Sequence, residues 1–277
     1  MNSISPQITA RRISGSLGAE VHGVGSLAKA SDETIARIRE LWLEHSVIFF
    51  REQPLEPKDF VAFARRFGDV VHYPFLKGLD EAPEVITVAK REDERVNFGG
   101  LWHTDTAYLE QPPMATMLVA REVPPFGGDT LFASSYAAYE ALSDSMKKLL
   151  EPLKAINSSA KAEKTRTRED RKAGEERKVL EGVHPVVRTH PETGRKALYV
   201  NGGHTLRFEG MSEDESAGLL AYLFEHQVRP EFTCRFQWES GSIAFWDNRC
   251  ALHNPVNDYH GYRRIMHRVT LAGDTPR

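Results

Sequence analysis

Apolar and polar positions along the chain change period repeatedly, and each change marks an element. In "SDETIARIRELWLEHS", Ile35, Ile38, Leu41 and Trp42 recur at helical spacing behind Ser31, a residue suited to N-capping. "VIFFR" then runs apolar without a break for the length of one buried strand. "EPKDFVAFARRFG" returns to a helical pattern, which Gly68 is expected to close. "AEVHGV" reads as a short strand near the start, and "EVITVAK", "ATMLVARE", "KALYVN", "FTCRFQW", "SIAFWD" and "IMHRVTLAG" read as later ones. "SSYAAYEALSDSMKKLLEPL" and "SEDESAGLLAYLFEHQ" read as helices. No segment repeats. Strands dominate both halves with helices set between them, which predicts an antiparallel sheet core with flanking helices rather than a βαβ nucleotide-binding fold.

Composition narrows the picture only a little. The 277 residues are 40% hydrophobic and 27% charged, ordinary for a globular chain, and the length allows one large domain or two small ones. A formal net charge of -3 speaks against a nucleic-acid partner or a polybasic membrane surface. No apolar run reaches membrane-spanning length, and the first residues lack the apolar stretch of a secretory signal, so a cytoplasmic location is expected. The two cysteines, Cys234 and Cys250, are too few for a disulfide framework and are expected to be reduced and packed. Residues 157–182 are rich in charge and poor in apolar side chains. They read as a solvated surface segment, and equally as a weakly held lid over a site.

The chemistry begins at "LWHTDTAYLE". His103 and Asp105 are two residues apart, so in an extended segment an imidazole and a carboxylate share one side. A surface hydrogen bond would satisfy so short a motif as well as a metal would. Of eleven histidines, His45, His226 and His267 fall within periodic patterns that suit the core or the surface, and His184 and His190 flank a strand and turn. His253 is different: it follows the apolar strand "SIAFWD" and leads into a polar turn. Together, His103, Asp105 and His253 make the two-imidazole, one-carboxylate set suited to non-haem Fe(II), and zinc would accept the same ligands. An oxygenase would also need an anchor for a 2-oxo acid, best supplied by a buried arginine with a hydroxyl donor. In "YRRIMHRVTLAG", Arg264 and Arg268 are four apart and face the same side of an extended segment, whereas Arg263 faces the other. The apolar residues between them predict burial, and buried guanidinium groups need anionic partners, so two anions are expected.

These pieces, taken in order, resemble the taurine/phenoxyacetate dioxygenases, which depend on Fe(II) and 2-oxoglutarate. The resemblance rests on "FGGLWHTDTAYLEQPP", "VPPFGGDTLFAS", "HPVVRTHPETGRKALYVN" and "WDNRCALHNPVNDYHGYRRIMHRVTLAGD", with "GSLGAEVHGV" and "HSVIFFREQ" near the start. It spans nearly the whole chain and implies one domain over residues 1–277 with a double-stranded β-helix, a jelly-roll core of cupin type. It implies that His103, Asp105 and His253 bind Fe(II), that Thr130 and Arg264 hold the distal carboxylate of 2-oxoglutarate, and that Arg268 meets an acidic group on the prime substrate. The implied reaction consumes O2, converts 2-oxoglutarate to succinate and CO2, and hydroxylates a small anionic organic molecule. The charged stretch at 157–182 matches the family's lid-bearing insert, and a homodimer or homotetramer is compatible with the resemblance.

The match departs at the substrate pocket. Taurine-specific relatives resemble this chain less there: they carry histidine where it has Tyr73 and tyrosine where it has Leu76. Their asparagine contact aligns with Gly99, two residues from Asn97, and their phenylalanine aligns with His204. His72 adjoins Tyr73, but in an extended segment it points elsewhere. With Phe75 and Tyr108, these positions imply a sulfonate, aryloxyalkanoate or sulfate ester with a less polar body. The competing readings are a taurine dioxygenase proper, releasing sulfite and aminoacetaldehyde; a zinc hydrolase on the same triad; and a jelly-roll binding protein without turnover.

Overall fold

The computed structural model describes residues 7–73, 76–164 and 179–277. Its main sheet has nine strands. Across it run Thr9–Arg12, Ala19–His22, Val47–Phe50, Ile243–Asp247, Ala115–Glu122, Arg264–Leu271, Ala82–Lys90 and Gly78–Leu79, with Val70–Val71 also paired to Arg264–Leu271. Ala19–His22 and Val47–Phe50 run parallel; the other pairs are antiparallel. A smaller sheet sets Thr130–Ser134 between Thr233–Phe236 and Ala251–Pro255.

Side-chain alternation decides what each face of the main sheet meets. Val47, Phe49, Leu118, Ala120, Ala244 and Trp246 point toward the smaller sheet and pack on its Phe132, Cys234 and Phe236. Their neighbours Ile48, Phe50, Met117, Val119, Ile243 and Phe245 point the other way, against Ile38, Leu41 and Trp42 of the helix Asp32–His45 and Phe60 and Phe63 of the helix Pro57–Arg65. Phe245 stacks on Trp42 at 4.5 Å between ring centroids. Each of the larger aliphatic and phenylalanine side chains contributes about 1.5–3 kcal/mol on burial, so both faces are strongly specified. The result is a mainly-β fold with flanking helices: two facing antiparallel sheets of a jelly roll, the double-stranded β-helix. A second layer places Lys154–Ser158 between Glu181–Pro185 and Thr205–Phe208, under the helix Glu213–Gln227.

Local chemistry sets the element ends. Ser31 caps its helix by accepting from the Thr34 amide. The following helix stops at Arg65 rather than at Gly68: the Arg66 and Phe67 amides bond back to Phe63 and Ala64, tightening the last turn, and Phe67 is drawn into the core against Phe63 and Phe245. The expected single helix over 134–153 is two, Ser135–Glu140 and Asp144–Leu150. Leu142 is buried between them, and Ser143 starts the second by accepting from the Met146 amide. Both cysteines are free and buried. Much of the segment expected as a lid, 165–178, lies outside the described residues. At its described ends, Asn157 and Ser158 pair in register with Gly182 and Glu181.

The end of the Ile243–Asp247 strand is fixed by a buried ionic latch. The Arg249 guanidinium grips both oxygens of Asp247 at 2.8 and 2.7 Å and reaches Glu192 at 2.8 Å. His190 Nε2 donates to Asp247 at 3.0 Å, and Arg39 meets the other side of Glu192 at 2.6 Å. Burial alone would raise the Asp247 carboxyl, but Arg249 and then His190 outweigh it and hold it well below the usual range. Asp247 therefore stabilises the fold fully above its unfolded value near 3.8, and that contribution is lost as pH falls below it. Replacing Arg249 by methionine leaves a buried carboxylate without its main partner. The expected loss is about 3–5 kcal/mol in urea unfolding at neutral pH. A loss under about 1 kcal/mol, the range of an exposed pair, would contradict the latch.

Candidate active site

The smaller sheet delivers His253 from its Ala251–Pro255 strand, opposite Phe132. The chain around His103 comes from a loop, yet the two histidines form a backbone bridge. The His103 amide donates to the His253 carbonyl at 3.1 Å and the His253 amide returns to His103 at 2.8 Å. This antiparallel pairing sets the two imidazoles side by side, with ring centroids 4.2 Å apart. Trp246 and Phe132 pack the His253 ring at 4.8 and 6.3 Å.

Asp105 sits beneath both rings and is 3% exposed. His103 Nδ1 meets the Leu101 carbonyl at 2.6 Å, which places its proton there and turns a lone pair on Nε2 toward Asp105. Nε2 of each histidine lies 3.9 Å from Asp105 Oδ1, too far for a hydrogen bond. Burial, then the neighbouring His103, push the His253 imidazole well below its usual range, against an opposing pull from Asp105. Burial works against ionisation of Asp105, but Arg268, then His253 and His103, hold it ionised. Two imidazole nitrogens and a carboxylate oxygen thus converge within 4.8 Å of one another without bonding to each other, a donor set that fits a divalent cation.

The other carboxylate oxygen is already engaged. The Thr116 hydroxyl donates to Asp105 Oδ2 at 2.6 Å and accepts from Asn248 Nδ2 at 3.0 Å. Asn248 Oδ1 accepts from Trp246 Nε1 at 3.0 Å and from the Asp105 amide at 3.3 Å. The Thr104 hydroxyl donates to the Asn248 carbonyl at 2.7 Å. This chain of hydrogen bonds leaves Oδ1 facing the histidines. Sequence reasoning missed Thr116 and Asn248. The asparagine of "WDNR" was the available signal, a second polar residue after Asp247 at the end of an otherwise apolar strand. A second group of potential ligands among the described residues, His190, Asp247 and Cys250, is fully buried. There the carboxylate is saturated by Arg249 and His190, so it reads as the latch described above.

The Arg264–Leu271 strand forms the opposite wall. Arg264, Met266 and Arg268 share its inner face, and the two arginines are 6% and 5% exposed. Arg263 lies outside the strand and is exposed. Arg268 Nη2 stands 3.0 Å from Asp105 Oδ1, and its guanidinium lies 4.9 Å from the centre of the Tyr73 ring. Nε and Nη2 of Arg264 have no hydrogen-bond partner among the described residues. Burial lowers the Arg264 guanidinium below its ordinary value, opposed by Tyr259 and Asp129. A cavity brings Arg264 together with Thr130, Trp238 and His253. Trp238, also missed from sequence, lies 5.6 Å from Arg264 and donates from its indole to the Thr130 hydroxyl at 3.0 Å.

A second cavity adjoins the first, sharing Phe98, His103 and Arg268. Asp105, Tyr73, Tyr108 and His204 are among its other walls. The His204 ring stands 5.8 Å from His103 and 5.1 Å from Tyr108. Leu76 and Asn97 line neither cavity: Leu76 is half-buried, and the Asn97 amide donates to the Pro255 carbonyl at 2.9 Å. Gly99 does line the second cavity, and its positive φ of 79° brings its backbone close to the His103 ring. His72 is exposed, and Phe75 lies outside the described residues.

The chain is similar to known proteins over nearly its whole length. The chain is 35% identical to the alpha-ketoglutarate-dependent sulfate ester dioxygenase of Pseudomonas putida, over 95% of this chain and 89% of that protein. A taurine dioxygenase from Burkholderia xenovorans superposes with a TM-score of 0.84 at 37% identity, covering 98% of this chain and 91% of that one. AAD-2, solved in complex with Mn(II) and N-oxalylglycine, superposes with a TM-score of 0.83 at 28% identity, covering 98% and 99%. Residues 9–270 match the model of the taurine catabolism dioxygenase TauD, TfdA family. The chain therefore belongs to the TauD/TfdA family of α-ketoglutarate-dependent dioxygenases, oxidoreductases that work with a metal and 2-oxoglutarate as co-substrate.

Proposed function

We propose that the chain acts as one catalytic domain that hydroxylates a small anionic organic substrate, with a sulfate ester or aryloxyalkanoate fitting better than taurine. Fe(II) would be held by Nε2 of His103 and His253 and by Asp105 Oδ1, with Thr116 restraining the other carboxylate oxygen. Bound there with O2 and 2-oxoglutarate, the metal would supply the oxidant while 2-oxoglutarate leaves as succinate and CO2. The observation that carries this reading is the pair of buried guanidinium groups on one strand face beside the triad. Arg264 offers two unmatched N–H groups beside a hydroxyl, which suits the distal carboxylate of the co-substrate. A zinc hydrolase would have no use for that arrangement.

Arg268 would take the substrate anion in the adjoining cavity. It is close enough to Asp105 to share its charge, yet its Nε has no hydrogen-bond partner among the described residues. The sulfate ester activity of the Pseudomonas putida relative supports an anionic head group. Phe98, Tyr73 and Tyr108 offer an apolar body more contact than they offer an amine. Hydroxylation of the carbon that bears the ester oxygen would release sulfate and leave an aldehyde. Among the described residues no helix is long and apolar enough to cross a membrane.

The direct test is oxygen-dependent succinate formation with Fe(II), 2-oxoglutarate and a panel of anions. A sulfate ester or aryloxyalkanoate is expected to exceed taurine at least about tenfold in kcat/KM, a difference of about 1.4 kcal/mol. Taurine as the best substrate would instead mean that His204 or a neighbour rebuilds an amine site. Alanine at His103, Asp105 or His253 is expected to abolish turnover and weaken Fe(II) retention in equilibrium dialysis; near-normal activity in any one would remove that residue from the triad. Arg264→Met should raise the KM for 2-oxoglutarate by roughly thirtyfold or more, since losing a buried charge-assisted partner costs about 2–5 kcal/mol. The prime-substrate KM should move little, and equal shifts in both would reassign the arginine. Thr116→Val frees Asp105 Oδ2 and should weaken metal binding roughly tenfold without unfolding the protein. Unchanged metal affinity would make Thr116 a packing residue.

A further inference from the structure

The inner face of the Arg264–Leu271 strand continues past Arg268. Thr270, paired with Thr116 and Val71, is the next inward position, and Ala272 follows, its amide tied to the Asp69 carbonyl at 2.8 Å. At that end lies a third cavity, larger than either of the other two. Val71, Leu109, Pro113, Thr270 and Ala272 are among its walls. It shares Tyr73 and Thr106 with the cavity that holds Asp105 and Arg268. The strand therefore passes three spaces in order: Arg264 in the first, Arg268 at the junction of the first and second, Thr270 and Ala272 in the third.

We propose that this third cavity is a tail subsite, which takes the aliphatic chain of a substrate whose anionic head rests on Arg268. The inference rests on the function proposed above and adds the substrate's length and shape. Among the described residues its lining carries no aspartate, glutamate, lysine or arginine, and its polar members, such as His72 and Gln111, stand beside the apolar Val71, Leu109 and Pro113. Its mouth reaches solvent at His72 and Ala272, both exposed, so tail length is not capped by a closed wall. Tyr73 and Thr106 border both cavities, and a tail would have to pass between them. Tyr73 is held from the substrate side by the Arg268 guanidinium, so an anion arriving at Arg268 competes for the group that positions Tyr73. Thr106 has a φ of 40°, a left-handed conformation that a β-branched residue adopts only under strain. That turn carries the chain away directly after Asp105, with the Leu109 amide closing it on the Thr106 carbonyl at 2.9 Å, and leaves Thr106 bordering both cavities.

The consequence is selectivity by chain length. Each methylene buried is worth roughly fourfold in affinity at about 0.8 kcal/mol, so a linear alkyl sulfate that reaches between Tyr73 and Thr106 gains over a short one. The test compares octyl sulfate with ethyl sulfate on the Fe(II)- and 2-oxoglutarate-loaded enzyme and on Ala272→Trp, which places an indole at the solvent mouth. Wild type should prefer octyl sulfate in kcat/KM. The variant should lose roughly tenfold or more on octyl sulfate and less than about twofold on ethyl sulfate. Anaerobic calorimetry of octyl sulfate binding gives a readout independent of turnover and should show the same loss. Equal losses on both esters, no preference for the longer one, or unchanged octyl sulfate binding in the variant would each overturn the tail subsite. Failure of every anionic ester to yield succinate would instead overturn the proposed function, while the binding comparison still decides the fate of the cavity.

Discussion

Two backbone hydrogen bonds between His103 and His253 hold the site together. They join residues 150 positions apart in the chain, in a pairing that no neighbouring strand residues extend. Everything else at the centre depends on them. They set the imidazoles side by side, place Asp105 under both, and bring the loop that follows "WH" against the smaller sheet. A pairing so short contributes little stability of its own, so the surrounding packing has to impose it. Trp246 and Phe132 hold the His253 ring, and Asn248 and Thr116 hold the Asp105 segment from below. The charges then follow from burial. Asp105 stays ionised because Arg268 and the histidines surround it, and His253 stays neutral because it is buried beside another imidazole. Those are the protonation states in which both groups bind a metal.

The second constraint is the period of two in the Arg264–Leu271 strand. It puts Val269 and Leu271 into the core against the helices, and Arg264, Met266 and Arg268 into the jelly-roll interior. The apolar face fixes the register, and the register fixes where the guanidinium groups go. A one-residue slip would turn the valine and leucine into the jelly-roll interior and drive both arginines into the apolar core under the helices. Stability and anion binding are thus specified by alternate residues of a single strand.

This explains which parts were legible in the sequence. The long strands and the capped helix after Ser31 follow from periodicity alone, and the HxD pair and the spacing of the two arginines carry geometry within one segment. Other features depend on distant partners. The Pro57–Arg65 helix ends early because Phe67 is pulled into a core built from Phe63 and Phe245, which local pattern cannot anticipate. Thr116 lies in "ATMLVARE" like any inward strand residue, and only the fold brings it to Asp105. Trp238 likewise read as the end of the strand "FTCRFQW", and the pairing of Phe236 with Thr130 in the smaller sheet brings its indole to the Thr130 hydroxyl. Leu76 and Asn97 were singled out by alignment with a taurine pocket, and the structure sets them outside the two cavities that flank the triad.

The central claim is that one metal, held by His103, Asp105 and His253, and one 2-oxo acid, anchored at Arg264, occupy a single continuous site. Its most direct test is an anaerobic titration of the protein with 2-oxoglutarate in the presence of Fe(II), followed by visible absorption. The account predicts a charge-transfer band from the chelated 2-oxo acid, saturating at one equivalent, absent without metal and absent in His253→Ala. Binding of 2-oxoglutarate with the same affinity whether or not Fe(II) is present, and with no band, would contradict it.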